Sequence, residues 1–335
     1  MDELLVLHIG AGNHSLKQNE KHHALIKDAL IQNNDSLKCI SRSSSILEKS
    51  PLTNCGYGSS LNFNGEVSNE ASFLQNVGGK ITKYGSMHDI HSPCPISETI
   101  DIFNKIDLMY SEQKFDKIGI TRPLILRHSI KSFVYQKLGL ENEEESNLVS
   151  DNQNKKYEIY KQGFIDIPKE EVQDTIGLIH QVGDITSVAA SSGGNFLKLP
   201  SRIGCAGIIG SGLGIKSNNE LEVSCMCSGN GEDIILLNLS NLLINQLLQD
   251  PETNIHEFLI AESERVPLNI VINGKPKLYV GVILLVNHKK DNYKQLIYYH
   301  TTESFYFGYR FKDKIKVIQS RNKGNYALGE RILRV

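Results

Sequence analysis

A paired run of strand-forming residues near the middle of the chain limits the folds that are open to it. The run is TIGLIHQVGDITSVAAS, residues 175–191, and its two apolar stretches flank the turn sequence Val-Gly-Asp. This pattern predicts a β-hairpin. Helical stretches and further strands occur on both sides of the run, and hairpins favour antiparallel sheets covered by helices. We therefore expect an α+β fold.

Helix and strand patterns cover most of the remaining sequence. Apolar residues at helical spacing predict helices over 22–31, 95–110 and 231–248. Short apolar and aromatic runs predict strands over 221–228, 277–287, 294–302 and 304–311, the last three antiparallel. Internal repeats are not apparent, so we expect one domain over residues 1–335.

One stretch differs in composition from the rest of the chain. Residues 141–158 are charged, rich in amides and nearly free of large apolar side chains. Such a stretch cannot bury enough surface to order itself. We expect an exposed flexible segment over 141–172, ending just before the central hairpin.

Length and charge exclude several classes of partner. The chain has 335 residues, is 40% apolar and carries a net charge of -2, which argues against binding nucleic acid through its phosphates. Its longest apolar run, 280–286, is far shorter than the roughly 20 residues of a membrane span. Asp2 and Glu3 stand where a secretion signal would be basic. We therefore expect an intracellular protein, in the cytoplasm or nucleus, that does not bind a membrane.

The cysteines do not indicate a disulfide framework or a metal site. Six are present, and an intracellular chain of this length does not need disulfides. Cys225 and Cys227 share one face of a predicted strand, but no second pair and no histidine accompanies them at ligand spacing. Buried thiols are the expected state, and we expect no metal and no cofactor.

The start of the hairpin allows two interpretations. Asp174 and Thr175 could begin a structured element because both side chains satisfy nearby backbone groups. Alternatively, Thr175 is a nucleophile that is released by cleavage of the bond before it. Cleavage would give Thr175 a free α-amine with a pKa of about 8, held beside its own hydroxyl, and this amine can act as the base that a threonine nucleophile needs.

Several motifs favour the second interpretation. The blocks DTIGLI, VAASSGGNFLKLPSRIGCAGIIGSG and SGNGE occur in the order found in threonine-dependent N-terminal-nucleophile (Ntn) hydrolases of the plant-type asparaginase family. HIGAGNHS, SPLTNCGYGSSLN and HTTESFYFGY resemble the threonine aspartase (taspase) branch of that family. The resemblance implies a four-layer αββα sandwich. It also implies self-cleavage into 1–174 and 175–335, which would stay together as an α/β heterodimer that can pair further.

The resemblance also implies roles for particular residues. Ser192 matches a hydroxyl that bonds the nucleophile, while Ser228 and Gly229 match the oxyanion-hole positions. Arg202 matches the arginine that holds a substrate carboxylate, a task that suits its planar fork of donors. Asn54 matches an asparagine that lines the site.

Two positions depart from the family pattern. Cys205 replaces the aspartate that binds the α-amine of a free amino acid in the asparaginases. His23 falls at the position of a lysine that makes a second basic contact to the substrate aspartate in the threonine aspartases, with Lys21 two residues earlier. The loss of the carboxylate favours a peptide substrate, and the histidine weakens selection of an aspartate.

These observations predict a threonine-type endopeptidase that cuts itself between Asp174 and Thr175 and then cleaves proteins after Asp. An isoaspartyl peptidase or L-asparaginase is the alternative within the same family. A third possibility, from a different class, is an inactive relative that retains the fold as a binding module.

Overall fold

The computed structural model describes residues 3–32, 36–141, 148–163, 175–272 and 275–334. Within these ranges the chain combines an eight-stranded sheet, a five-stranded sheet, a two-stranded ribbon and flanking helices. The predicted mixture of helices and antiparallel sheets is confirmed. In the same ranges, no helix combines the length and the apolarity that crossing a bilayer requires.

The helices differ in length from 7 to 18 residues. They are α1 (Asn19–Leu30), α2 (Ser36–Glu48), α3 (Pro95–Glu112), α4 (Ile130–Lys137), α5 (Asp151–Lys161), α6 (Gly231–Leu237), α7 (Leu239–Gln249) and α8 (Ile255–Ser263). The predicted helices 22–31 and 95–110 correspond to α1 and α3. The predicted helix 231–248 is instead two helices, because Asn238 adopts a left-handed conformation between α6 and α7.

The first eight strands in chain order are β1 (Leu4–Gly12), β2 (Asn69–Val77), β3 (Lys80–Ile90), β4 (Ile125–Arg127), β5 (Ile176–Val182), β6 (Ile185–Ser192), β7 (Leu213–Ser217) and β8 (Leu221–Gly229). Those nearer the C-terminus are β9 (Val271–Ile272), β10 (Lys275–Pro276), β11 (Val280–His288), β12 (Tyr293–His300), β13 (Ser304–Phe311), β14 (Lys314–Arg321) and β15 (Ala327–Arg334).

The large sheet has the order β14-β13-β1-β5-β6-β2-β3-β4, and the small sheet has the order β15-β12-β11-β8-β7. Every pairing in the two sheets is antiparallel except β3 with β4. The predicted hairpin is confirmed, with β5 and β6 joined by a turn at Gly183 and Asp184. Its two strands lie in the middle of the large sheet, where neighbours on both sides hold them.

Three large apolar clusters form the core. The first packs α1, α2 and α3 on the large sheet and includes Ile26 and Leu178. The second lies between the two sheets and includes Val6 and Ile283. The third packs the small sheet against α6, α7 and α8 and includes Leu243. Each sheet therefore buries both of its faces, which explains why central strands such as β5 and β11 are almost continuously apolar.

The structure differs from the sequence expectation over residues 148–163. This part of the predicted flexible segment contains α5, and Leu148 and Tyr157 are buried against Leu61 and Val67. The Tyr157 hydroxyl donates to the backbone oxygen of Phe63 at 3.0 Å. Val149 and Tyr160 pack against the same cluster, and buried Gln153 donates to the backbone oxygen of Gly58 at 3.1 Å, so a few scattered contacts fix this polar helix on the surface. Residues 142–147 and 164–172 of the predicted segment lie outside the described residues.

Candidate active site

Thr175 lies directly before β5, at one end of the large sheet, and is only 5% exposed. Side chains alternate between the two faces of a strand, so the Thr175 side chain lies on the same face as positions 177 and 179. Ile179 packs between the two sheets, which places this face of β5 toward the small sheet. The hydroxyl is therefore presented at the mouth of the space between the sheets.

Five of the other predicted site residues gather around Thr175. A cavity of about 30 Å³ is lined by Thr175 and by predicted residues from four separate parts of the chain: Asn54, Ser192, Arg202, Cys205 and Gly229. Glu70, Gly194, Asn195 and Gly231 complete its lining. The volume is about that of one water molecule. A substrate side chain can therefore enter only if the lining moves.

Asn54 and Ser192 join two loops at this cavity. The Asn54 side-chain amide donates to the backbone oxygen of Gly194 at 2.7 Å, and its oxygen accepts from the backbone N–H of Ser60 at 2.8 Å. The Ser192 hydroxyl accepts from the backbone N–H of Gly194 at 3.0 Å. Ser192 thus satisfies the glycine turn and also lines the same cavity as Thr175.

The two predicted oxyanion-hole residues are in different environments. Gly229 lines the cavity with a φ of 128°, and a side chain there would meet the backbone oxygen of Tyr279 at 2.3 Å. Ser228 is completely buried, and its hydroxyl accepts from the backbone N–H of Ala11 at 3.1 Å. It is not among the described residues that line the cavity. Alternation along β8 puts Ser228 on the same face as Met226, which packs between the two sheets. Its role in the oxyanion hole stays a prediction.

Arg202 is paired with a carboxylate of the protein itself. Its Nε and Nη2 atoms donate to the two carboxylate oxygens of Glu232 at 2.9 and 2.8 Å. This is the bidentate geometry that a guanidinium uses to bind a substrate carboxylate. The remaining guanidinium nitrogen, Nη1, lies against Gly194 and Gly204. A side chain at either glycine would lie within about 3 Å of Nη1, so both positions leave room for it. The residue predicted to bind a carboxylate therefore holds one.

A second carboxylate, that of Glu70, is buried in the cavity lining and was not predicted from the sequence. It accepts a hydrogen bond from the backbone N–H of Gly204. Burial raises the pKa of Glu70, and the charges of Lys198 and Arg202 oppose this rise. Cys205 lies in the same lining, and burial together with the charge of Glu70 raises the pKa of its thiol. Cys205 is therefore a neutral side chain of the lining, and Glu70 places a carboxyl group close by.

Comparison with known proteins agrees with this geometry. A family model described as asparaginase matches residues 1–257. The chain belongs to the asparaginase family. That family lies within the Ntn-hydrolase superfamily, so hydrolase activity of the Ntn type is the chemistry that membership supports. No curated protein matches the chain.

One other predicted residue of this asparaginase-family chain, His23, is not brought to the cavity. His23 is exposed on α1 and is not among the described residues that line the cavity. Its neighbour His22 is buried instead, with its ring against those of His14 and Tyr306. Consecutive helical residues differ by about 100° around the axis, so a one-residue difference decides which ring faces inward. The role of His23 as a substrate contact stays a prediction, and Asp174 lies outside the described residues.

His8 explains the glycine of the Thr-Ile-Gly motif. His8 pairs with Gly177 across β1 and β5, and a side chain at Gly177 would approach His8 Nε2 to 2.4 Å. The ring is fully buried, and burial lowers the pKa of His8 to about 3. His8 is therefore neutral near neutral pH and fills the space beneath the strand that carries Thr175.

Two groups of potential metal ligands occur among the described residues, and the surroundings of both are unfavourable for a cation. Glu3, Cys39 and His180 have ligand atoms within 4.8 Å of one another. The Glu3 carboxylate, however, accepts from Arg310 at 2.6 Å, and a guanidinium would repel a metal ion. Cys225 and Cys227 are buried with their sulfurs 3.7 Å apart, and burial raises the pKa of Cys227. A neutral thiol is a poor metal ligand.

Glu48, behind the strand end that carries Ser192, should make stability depend on pH. Its Oε1 atom accepts from the Ser191 hydroxyl at 2.7 Å and from the Ile96 backbone N–H at 3.0 Å, and burial raises the pKa of Glu48 from 4.5 to about 7. Between these values the unfolded chain has lost a proton that the folded protein retains. We therefore expect the free energy of unfolding to fall as the pH rises through this window and to level off above it.

Glu48→Gln tests this prediction because glutamine keeps the shape but does not titrate. Urea unfolding midpoints across the window should decline less steeply for the variant than for the wild type. Equal slopes for the two proteins would show that Glu48 does not cause the decline.

Proposed function

We propose that the protein is a self-processing threonine endopeptidase that cleaves proteins after Asp. Thr175 is the nucleophile, made active by cleavage of the bond between Asp174 and Thr175. The observation that carries the proposal is the sharing of one cavity by the buried Thr175 and by Arg202, a residue in the geometry of a carboxylate receptor. Together they provide a nucleophile and a contact for an aspartate side chain.

The chemistry follows from a threonine at a new N-terminus. In self-processing, the Thr175 Oγ attacks the carbonyl carbon of Asp174, the bond to the Thr175 nitrogen breaks, and water opens the resulting ester. The freed α-amine then takes the proton from Oγ as the hydroxyl attacks a substrate carbonyl. The amine passes this proton to the leaving nitrogen, and a water molecule hydrolyses the acyl-enzyme.

The remaining residues have supporting roles in this proposal. The backbone N–H of Gly229 is the proposed oxyanion donor, because Gly229 lines the cavity and a single donor of this kind typically contributes about 3 kcal/mol. The Ser228 hydroxyl, which accepts from the backbone N–H of Ala11 at the end of β1, remains the second proposed oxyanion-hole group. Asn54 and Ser192 fix the glycine turn on the opposite wall.

The proposal includes a four-layer αββα arrangement and an α/β heterodimer of 1–174 with 175–335, which can pair further. The three apolar clusters support the layers, because they join helices to the large sheet, the large sheet to the small sheet, and the small sheet to helices. The placement of β5 between β1 and β6 supports a heterodimer that stays assembled.

A second candidate is an isoaspartyl peptidase or L-asparaginase. Glu70 favours it, because a carboxylate in the cavity lining could bind the α-amine of a free amino acid although Cys205 cannot. Glu70 already accepts from Gly204 and is balanced by Lys198 and Arg202. These contacts leave it less suited to an ammonium group, so the endopeptidase remains the first choice.

Substrate comparison tests the proposal. Free asparagine, a β-aspartyl dipeptide and a longer peptide with an internal Asp-Gly bond should be incubated with the protein and the products identified by mass spectrometry. We expect cleavage of the longer peptide after Asp. Turnover of the dipeptide or of asparagine without cleavage of the longer peptide would assign the site to the second candidate.

Glu232 should compete with the substrate for Arg202. Glu232→Gln removes the charge that now occupies the guanidinium, so a substrate carboxylate has less to displace. We expect KM for an Asp-containing peptide to fall about threefold to tenfold, with kcat changed less, because an uncharged amide binds a guanidinium more weakly than a carboxylate does. Steady-state kinetics would measure both.

Glu220→Gln is a matched control for this change. Glu220 is an exposed acid paired with Lys290 at 2.6 Å on the surface, so its substitution makes the same change in net charge away from the cavity. Its KM should equal that of the wild type. An unchanged KM for Glu232→Gln would contradict the competition.

A further inference from the structure

A second and larger cavity lies at the opposite ends of the strands that lead to Thr175. Its volume is about 610 Å³, within the range of small-molecule sites. Gln181 and Glu222 line it, near the far ends of β5 and β8. Six residues of extended chain separate Gln181 from Thr175, or about 20 Å. The cavity is therefore distinct from the candidate active site, although the same strands reach both.

The small sheet contributes two charged side chains to this cavity, and the large sheet contributes Gln181. Glu222 and Lys294 line it and are 4% and 5% exposed. They are bridged by Gln181, whose amide oxygen accepts from Lys294 at 2.6 Å and whose nitrogen donates to Glu222 at 3.3 Å. A glutamine thus stands between a buried anion and a buried cation. A ligand that carries both charges could contact both groups, and hydrogen bonds to charged groups are the strong ones.

Hydrogen bonds fix the Glu222 carboxylate in place. Asn76 donates to its Oε2 atom at 2.7 Å, and the Thr186 hydroxyl donates to Oε1. Burial raises the pKa of Glu222, whereas the Thr186 hydrogen bond and the charges of Lys289 and Lys294 lower it. The carboxyl group is therefore held in a fixed position, with two lysines nearby.

A buried polar atom in the lining also lacks a partner. His288 is 9% exposed, lines the cavity and stacks on Tyr293 with ring centroids 4.1 Å apart. Its Nε2 atom has no hydrogen-bond partner among the described residues, and neither does the buried Oδ1 atom of Asn76 nearby. Buried polar atoms are nearly always paired in folded proteins, so these two indicate a missing polar molecule.

We propose that this cavity binds a small zwitterion with one ammonium and one carboxylate group, such as a free amino acid or a dipeptide. Its ammonium contacts the carboxylate of Glu222. Its carboxylate lies toward Lys294 and Lys289, and the imidazole of His288 bonds it or its neighbouring amide. The lining carries Asp184 and Glu222 against these two lysines, so a ligand without net charge matches it better than an ion does.

Binding should be measured by ligand-detected NMR on the full chain carrying Thr175→Ala, which removes turnover. The probes are L-alanine and L-alanyl-L-alanine, with acetate and methylammonium carrying one charge each. We expect saturable binding of at least one zwitterion, at least tenfold tighter than either single-charge probe. The zwitterion that binds more tightly indicates which distance between ammonium and carboxylate groups the cavity accepts. Equal binding of acetate, or no saturable binding of either zwitterion, would overturn the proposal.

Two substitutions locate the site. Lys289→Met removes a charge from the cavity rim and should weaken binding at least threefold, whereas Lys290→Met, at the adjacent exposed lysine outside the lining, should leave it unchanged. Glu222→Gln should weaken it at least tenfold, with the unfolding transition checked in parallel. Unaltered binding in both Lys289→Met and folded Glu222→Gln would place the ligand elsewhere. Neither result depends on self-cleavage, so the proposed function can fail independently.

Discussion

Thr175→Ala is expected to leave the chain whole, whereas the wild type separates on a denaturing gel into two fragments, 1–174 and 175–335. The variant lacks the hydroxyl that we propose attacks the Asp174 carbonyl, and no other described hydroxyl occupies the start of β5. Peptidase activity should fall by a factor on the order of 10⁴ or more, as for other removed nucleophiles. Intact mass spectrometry would identify the new N-terminus.

Thr175→Ser is the control, because it retains a hydroxyl at the same position. We expect slower but complete cleavage, since serine lacks the methyl group that restricts the side-chain rotamer. Cleavage of the Thr175→Ala chain at the same bond would show that a contaminating protease cuts it. A wild-type chain that stays whole after long incubation would favour the inactive relative that acts as a binding module.

Arg202→Met should cause the second large loss. Removing the guanidinium leaves the carboxylate of the substrate without its bidentate partner and leaves Glu70 with one positive neighbour fewer. The loss of such a charged contact typically costs about 2–5 kcal/mol, so kcat/KM for an Asp-containing peptide should fall about 30-fold or more. Steady-state kinetics with matched peptides would measure it.

The matched peptide carries Asn in place of Asp before the cleaved bond. Its uncharged side chain gains less from Arg202, so the variant should lose much less activity on it. Arg202→Lys keeps the charge but not the planar fork, and an intermediate loss is expected. Equal losses on the two peptides would show that Arg202 only holds the loop, through Glu232.

Local signals in the sequence predicted the parts of the fold that depend on neighbouring residues. The hairpin over 175–191 has its turn and its two apolar strands within one short segment, so alternation and the Gly-Asp turn were sufficient. The break between α6 and α7 was missed because a left-handed asparagine leaves the apolar spacing of 231–248 unchanged. Similarly, α5 was missed because the side chains that anchor it, such as Leu148 and Tyr157, are few and scattered in a polar stretch.

The residues of the candidate site that belong to short recognisable motifs could be predicted from the sequence. Ser192 and Gly229 end strands β6 and β8, Asn54 and Arg202 lie in loops, and the structure brings all four to Thr175. Glu70 could not be found in this way, because its importance comes from Lys198 and Gly204, which are more than 120 residues away in sequence. The family pattern also could not show which face of α1 points inward. His23, at the position of the family's lysine, is exposed, whereas His22 is buried.

The strand order of the large sheet has a consequence for refolding. Residues before Thr175 supply β1 to β4, and later residues supply β5, β6, β13 and β14, in the order β14-β13-β1-β5-β6-β2-β3-β4. Each fragment alone, 1–174 or 175–335, therefore lacks some of the neighbouring strands that its own strands pair with in the sheet. A cut before Thr175 would leave the native sheet intact but turn refolding into an encounter of two chains, slower at lower concentration. The cut protein would then persist because it unfolds slowly, and not because it refolds readily.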